Sequence, residues 1–346
     1  MTVRFSLSLP RYVDPEAPDP LAATYDFANM LEELGYYAGY VGHHSFTPET
    51  RDPSAPFSFL SALAARTEKL RLGTGIFLAG LHEPVATCEH ASTLDVISGG
   101  RSILGVAAGY REYEFEGHHV PFDERGPRLD EQLEIIRSAW TTGRYGYEGQ
   151  HYSLPDLPVY PTPIQDPHPP ILVGGTSPPA LRRAARYGDG WFTLPMETLP
   201  VVKQLAENYR AECAAVGKEP YICLMREAWV SPTRAGVEED WLGRAFKFHR
   251  YYWETGTKGD EHDPVLQRVG GGEDVDLGTF IHDRAIAGTP EACVAELERW
   301  HDAIGFDELC LLFLVRPRPW QQLDDSVSLF ATEVIPEFQA RIAGSL

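Results

Sequence analysis

The chain has 346 residues, 43% of them hydrophobic and 23% charged, which is enough apolar material for a large buried core. Its formal net charge of −20 disfavours nucleic-acid and membrane partners, because an acidic surface repels phosphate backbones and anionic lipids. Five widely spaced cysteines, none in a Cys-x-x-Cys pair, predict reduced and buried thiols. No signal-peptide or bilayer-spanning run is found, and together these features predict a cytoplasmic protein.

Apolar runs and helical spacings alternate about eight times along the chain. Strands are predicted at residues 3–9, 36–41, 70–78, 102–107, 171–173, 190–194, 221–230 and 307–315. Helices are predicted at residues 21–34, 57–67, 84–97, 129–140, 178–187, 199–215, 237–253, 290–304 and 324–341.

This alternation predicts a parallel eight-stranded barrel, the α/β fold known as the (β/α)8 or TIM barrel, with insertions. No change of composition marks a boundary, so residues 1–346 are predicted to form one domain. A doubly wound open sheet is the main alternative, but the first strand is not followed by the Gly-x-Gly-x-x-Gly turn typical of that fold.

Two segments depart from the alternation. Residues 141–170 are rich in proline in their second half, which predicts an extended strap over the surface. Residues 254–283 combine many glycines and acids and are predicted to form a mobile insertion or lid rather than a packed element.

Polar and glycine-rich residues follow several predicted strands, and in a barrel the loops after the strands share the face that holds the active site. His43 and His44 follow the second strand, although a histidine at a strand end is more often structural than catalytic. Gly73 and Gly75 interrupt the third strand. They indicate either a backbone packed against a flat ligand or a tight contact inside the barrel.

The turn after the fifth strand has the composition of an anion site. Gly174 and Gly175 allow close approach of a ligand, Thr176 and Ser177 carry hydroxyls, and Pro178 suits the first position of a helix. The N-terminus of a helix attracts anions such as phosphate. A helix that is merely capped by Ser177 explains the same residues, and the local sequence does not separate the two interpretations.

Glu114, His118 and His119 are candidate metal ligands because they lie together in the loop after the fourth strand. Adjacent histidines rarely bind one ion, and the spacing is that of a loop, so no metal site is predicted.

Eight short motifs, taken together and in this order, resemble the luciferase-like flavin monooxygenases and their relatives that use the deazaflavin F420. The motifs are GYVGHHSFTP (39–48), LRLGTG (70–75), HEP (82–84), TLDVISGGR (93–101), LGVAAGY (104–110), PFDERGPRLDE (121–131), PPILVGGTS (169–177) and AARYGDGW (184–191). The family fold is a (β/α)8 barrel with insertions, as the alternation predicts.

The resemblance implies roles for particular residues. Alignment on Phe46 places the active-centre histidine of the family at His44. His43 then stands where the family has an acid, and Ser45 where many members have a second histidine. The resemblance implies that the strand-three loop lies against the flavin and that the turn after strand five holds the phosphate. The implied cofactor-binding residues are Gly75, Ile76, Ala108, Tyr110, Gly174, Gly175, Thr176 and Ser177.

The resemblance implies a flavin-dependent oxidoreductase. The favoured form is a two-component monooxygenase that uses reduced FMN from a separate flavin reductase, together with O2, on a small organic substrate, with His44 as proton donor or acceptor. An F420-dependent hydride-transfer enzyme is the alternative, because Ala108 replaces an arginine common among FMN-using members. A non-catalytic flavin-binding protein is the third hypothesis. A homodimer formed through helix faces near residues 86–94 is also expected.

The substrate is not specified by the sequence. Four aromatic residues are expected near the mouth of the barrel, where they would form an apolar pocket, but each would serve equally well in the core. They are Phe46, Tyr110, Phe115 and Trp191.

Overall fold

A computed structural model describes residues 2–10, 17–46, 55–254, 263–313 and 321–344. Its strands are β1 (Arg4–Ser8), β2 (Ala38–Val41), β3 (Arg71–Thr74), β4 (Ser102–Val106), β5 (Tyr147–Glu148), β6 (Ser153–Leu154), β7 (Ile171–Gly174), β8 (Gly190–Phe192), β9 (Ile222–Val230), β10 (Ala285–Gly288) and β11 (Glu308–Leu312).

The helices fill most of the intervals between these strands. They are α1 (Pro20–Glu33), α2 (Pro56–Ala64), α3 (Pro84–Ser98), α4 (Glu112–Gly117), α5 (Arg125–Thr142), α6 (Pro178–Tyr187), α7 (Leu199–Ala215), α8 (Arg234–Val237), α9 (Gly243–Glu254), α10 (Pro264–Gly270), α11 (Leu277–Ile281), α12 (Pro290–Ile304), α13 (Gln321–Leu329) and α14 (Ile335–Gly344). Many of them start at a proline, because the first turn of a helix does not need that residue's N–H group.

Every predicted strand is present, and several boundaries differ. The third strand ends at Thr74 rather than at residue 78, since the chain turns at Gly75. The loop predicted after the fourth strand contains α4, and α5 starts at Arg125 rather than at residue 129. The last two residues of the predicted eighth strand, 314 and 315, lie outside the described residues.

One compact unit, here called unit A, consists of Ala38–Phe192 and Asn208–Tyr221. Its parallel strands run in the order β2-β3-β4-β7-β8. The proline-rich strap belongs to this unit and contains the small antiparallel hairpin β5-β6. Glu131 on α5 holds the hairpin by accepting hydrogen bonds from three consecutive backbone amides, at residues 150–152.

The second unit, unit B, consists of Met1–Tyr37, Thr193–Glu207 and Ile222–Leu346. Its strand order is β10-β9-β11-β1, again parallel. Strand β9 is nine residues long and buried throughout. Strand β11 pairs with the first part of β9, and β10 pairs with its last four residues. Strand β10 was not predicted.

The full strand order is β10-β9-β11-β1-β2-β3-β4-β7-β8, with a further pairing of β9 with β8. This is the closed, parallel, eight-stranded (β/α)8 barrel that the sequence predicts, with β10 as an addition. The prediction of one domain over residues 1–346 stays a prediction.

The segment predicted as a mobile lid contains two short helices, α10 and α11. Leu266, Val269 and Phe280 are buried there, and Asp263 forms a buried ion pair with Arg284. Residues 255–262 lie outside the described residues, and the lid function stays a prediction.

The five cysteines are all free thiols and all buried, which confirms that prediction. Within the described ranges, no helix is both long and apolar enough to span a bilayer.

Gly105 on β4 offers a test of the packing between β3 and β4. A Cβ atom at Gly105 would overlap the backbone carbonyl of Thr74, whose hydroxyl also donates to the Gly105 carbonyl at 2.7 Å. We expect Gly105→Ala to destabilise the fold by about 1–3 kcal/mol, because the backbone must move to admit the methyl group. Thermal unfolding followed by circular dichroism measures this. Gly243→Ala is the control, since among the described residues no atom outside its own helix lies within 4 Å of the Cβ position of Gly243. Equal melting temperatures of the two variants would contradict the prediction.

Candidate active site

His43 and His44 leave the end of β2 in different environments. His43 is buried, and its ring stacks on Phe77 with 4.9 Å between ring centroids. Its backbone amide donates to the Ile76 carbonyl at 3.0 Å, and the Leu78 amide donates to its Nδ1 atom at 3.4 Å. His43 therefore contacts the segment after β3, which explains a histidine at this position by packing.

His44 is the partly exposed member of the pair, with 21% of its side chain accessible. Its Nδ1 atom lies 3.1 Å from Oε1 of Glu114, which is fully buried on α4. The same carboxylate oxygen accepts the Ser45 amide at 2.7 Å. The Tyr110 ring is nearly perpendicular to the imidazole, with 5.8 Å between ring centroids. A carboxylate at Nδ1 fixes the orientation and tautomer of the ring and directs its Nε2 atom to proton transfer.

The resemblance to the family implies an acidic residue at position 43, where this chain has His43. Glu114 thus supplies a carboxylate next to His44 from a different loop. Sequence reasoning considered Glu114 only as a metal ligand and did not connect it with His44. The two residues are 70 positions apart. The sequence offered one indication of this contact: both residues follow strands of one barrel, and the loops after those strands share a face.

His118 also belongs to this site, as a partner of Ser45 whose Oγ lies 2.9 Å from its Nε2 atom. The His118 ring packs edge-on against His82, with 5.2 Å between centroids. Burial, together with the nearby His118 and His90, lowers the pKa of His82 to about 4, so His82 is neutral at pH 7. Over the part of the chain that the structure describes, no group of three or more ligating side chains is arranged for a metal.

The end of β3 lies beside the histidines. The Gly75 amide donates to the Val41 carbonyl at 2.9 Å, and the peptide bond between Gly75 and Ile76 is cis. A Cβ atom at either Gly73 or Gly75 would lie 2.7 Å from an atom of Tyr40. Tight packing inside the barrel therefore accounts for both glycines, and contact of Gly75 and Ile76 with a cofactor stays a prediction.

The turn after β7 meets the same segment. A Cβ atom at Gly174 would overlap Cδ1 of Ile76 and would lie 3.7 Å from the Cβ of Ala107. The ends of β2, β3, β4 and β7 are thus joined in one place through Ile76. Gly175 has φ +130°, a conformation that favours glycine, and its carbonyl accepts the Trp191 indole N–H at 2.8 Å.

Helix α6 starts as predicted, with Ser177 at the N-cap and Pro178 next, but the Ser177 side chain makes no capping hydrogen bond. Because residues 178 and 179 are both prolines, the first two helical positions offer no N–H group to an anion. The donors of this turn are therefore the backbone amides at residues 175–177 and the hydroxyls of Thr176 and Ser177.

The loop after β4 holds the other predicted cofactor residues. Ala108 lies against Gly80, whose Cβ position is 3.3 Å from the Ala108 carbonyl oxygen. Tyr110 is 40% exposed, and its hydroxyl accepts a hydrogen bond from Nε of the buried Arg111 at 3.0 Å. Sequence reasoning did not single out Arg111, a buried cation three positions after Ala108.

The four aromatics expected near the mouth divide into two pairs. Phe115 and Trp191 are fully buried core residues, whereas Phe46 and Tyr110 are exposed and contact the rings of His118 and His44, respectively. Residues Thr47 and Pro48 of the histidine motif lie outside the described residues.

The chain resembles known proteins in sequence over most of its length. Residues 2–307 match the family described as luciferase-like monooxygenase. The chain is 30% identical over 200 residues to an FMNH2-dependent dimethylsulfone monooxygenase of Pseudomonas putida, a stretch covering 57% of this chain and 52% of that protein. It is 30% identical over 196 residues to an F420-dependent glucose-6-phosphate dehydrogenase of Amycolatopsis mediterranei, covering 53% of this chain and 58% of that protein. The matched stretch spans little more than half the length of either relative.

The fold is shared with solved structures. The oxygenating constituent of 3,6-diketocamphane monooxygenase from Pseudomonas putida, solved with FMN, superposes with a TM-score of 0.76 at 18% identity. The superposition covers 97% of this chain and 99% of that one.

Proposed function

The chain belongs to the luciferase-like monooxygenase family, and from that premise we propose that it is an oxidoreductase that uses reduced FMN and O2 to oxygenate a small organic substrate. The observation that carries the proposal is the pair formed by His44 and Glu114. A partly exposed imidazole is held by a fully buried carboxylate, beside the segment where the family places its flavin.

The residues after β3 and β7 fit a flavin cofactor. The backbone amides and hydroxyls of residues 175–177 suit a phosphate, and Gly175, at φ +130°, allows the backbone turn that presents them. Arg111 adds a cation in the loop after β4, where Ala108 provides none. When bound, reduced FMN would supply the electrons that activate O2.

The protein's own contribution is acid–base chemistry and orientation. Glu114 holds Nδ1 of His44, so Nε2 is the atom that accepts or donates a proton during turnover. Gly75 and Ile76 would lie against the flavin ring, and Tyr110 would border the same space through its contact with His44. The lid at residues 254–283 would exclude water.

The proposal includes partners. Reduced FMN would come from a separate flavin reductase, and a second copy of the chain would pack on the helix face near residues 86–94. Neighbouring residues of α3 are consistent with such a contact, because Val96 and Ile97 are 43% and 47% exposed.

An F420-dependent hydride transfer on the same barrel is the second candidate. The observation that favours it is Ala108 in place of the arginine that many FMN-using members have. A relative that is 30% identical over 196 residues uses F420.

Anaerobic titration of the purified protein with reduced FMN and with reduced F420, followed by admission of O2, tests the proposal. We expect saturable binding of reduced FMN and a changed rate of its oxidation by O2 relative to free FMN. Tight binding of F420 without binding of FMN would select the second candidate. Binding of FMN with an unchanged oxidation rate, and no oxygenated product from a substrate panel, would indicate a non-catalytic flavin-binding protein.

A further inference from the structure

Unit B contains a buried carboxylate–imidazole pair that the proposed mechanism does not use. Nε2 of His249, on α9, lies 2.5 Å from Oε1 of Glu227, on β9. The two side chains are 5% and 3% exposed, respectively. Glu227 is the sixth of the nine residues of β9, toward the carboxyl end of the strand, where this fold places its active-site groups.

The direction of the Glu227 side chain follows from its neighbour. Arg226 carries its guanidinium 4.3 Å from the ring centre of Trp300, on α12. Successive residues of a strand point to opposite faces, so Glu227 points away from α12. The face opposite to α12 is therefore the one on which Glu227 meets His249 of α9. Trp229 shares that face, two residues further along.

Each member of the pair has a second polar side-chain atom that takes no part in the contact between them. Within the described residues, Oε2 of Glu227 and Nδ1 of His249 are buried and have no hydrogen-bond partner, and the indole Nε1 of Trp229 is in the same condition. Native proteins pair the large majority of their buried polar atoms, so the two unpartnered atoms of the Glu227–His249 contact, with a third on the same strand, indicate a group that completes them. The Phe280 ring stands perpendicular to His249 at 5.1 Å and gives the pair an aromatic border.

We propose that Glu227 and His249 form a substrate-recognition site, which binds a small aromatic molecule through a hydroxyl or amide N–H donated to Oε2 of Glu227. The inference rests on the proposed function, since it identifies this ligand as the organic substrate. A carboxylate oxygen is an acceptor only, so the ligand must bring the donor. A site built to bind a hydroxyl or N–H group discriminates strongly against an analogue that lacks it.

The test uses the full chain without added flavin, with benzyl alcohol and toluene as matched probes. Nuclear magnetic resonance of protein labelled with 15N-histidine follows the ring signal of His249. This signal is assigned as the one that disappears from the spectrum of the His249→Asn variant. We expect benzyl alcohol to shift this signal saturably and to bind at least tenfold more tightly than toluene. In the apolar double variant Glu227→Met/His249→Phe, toluene and benzyl alcohol should bind equally. Glu333→Gln, an exposed change in the same unit, should retain the preference.

The thermal stability of the double variant distinguishes a recognition role of the Glu227–His249 pair from a structural one. Replacing a buried polar pair by apolar residues of similar size is often neutral or stabilising, so the double variant should melt no lower than the wild type. Equal binding of the two probes to the wild type, absence of any shift at His249, or a melting temperature several degrees lower in the double variant would each overturn the inference. Since neither flavin nor O2 is present, failure here is distinct from failure of the proposed oxygenase activity.

Discussion

The His44→Ala variant should lose about 100- to 10,000-fold of the turnover of the wild type, the range typical of a removed general acid or base. Its affinity for reduced FMN should change little, because His44 is expected to move a proton rather than to hold the phosphate. The rate at which bound reduced FMN is oxidised by O2, followed by flavin absorbance, measures the loss. Binding is measured separately by anaerobic titration.

His119→Asn is the control for this substitution, since His119 is an exposed histidine whose positive φ is a conformation that asparagine also adopts. This variant should retain wild-type turnover. Wild-type oxidation rates in His44→Ala with flavin bound would remove His44 from the catalytic role.

The Glu114→Gln variant should lose about 10- to 100-fold of the turnover, as is typical when the partner that orients a functional histidine is removed. The glutamine oxygen can still accept the Ser45 amide, so the loop should keep its place. The same oxygen also stays next to Nδ1 of His44, but the amide is neutral, so an imidazole that gains a proton loses the charge attraction of the carboxylate. The same flavin-oxidation assay measures this effect.

Glu116→Gln on the same helix is the control, because Glu116 is exposed and should not affect the rate. If Glu114 acts through His44, the double variant His44→Ala/Glu114→Gln should be no slower than His44→Ala alone. Multiplied losses in the double variant would show that Glu114 acts independently.

The barrel was predictable because its signals are local. Apolar runs such as residues 171–173, each followed by a helical spacing, mark strand and helix without reference to the rest of the chain. The N-terminus of α12 is also set locally: the Thr289 side chain accepts a hydrogen bond from the Ala292 amide, and Pro290 follows at the first helical position. Strand β10 was missed because it is short and follows a segment rich in glycine and acids.

The candidate site was predictable only in part. His44 could be selected by its position after β2 and by family resemblance, but its contact with Glu114 depends on how two loops meet in space. The interpretation of Gly73 and Gly75 likewise needed the Tyr40 ring, which lies on a neighbouring strand. Contacts of this kind are set by packing between distant segments, and no spacing along the chain reports them.

The rate of oxidation of bound reduced FMN, compared among the wild type, His44→Ala, Glu114→Gln and the double variant, tests the central claim most directly. A catalytic pair predicts a large loss in His44→Ala, a smaller loss in Glu114→Gln, and a double variant equal to His44→Ala. Four equal rates, with FMN bound in every case, would contradict the assignment of His44 and Glu114 as the acid–base centre.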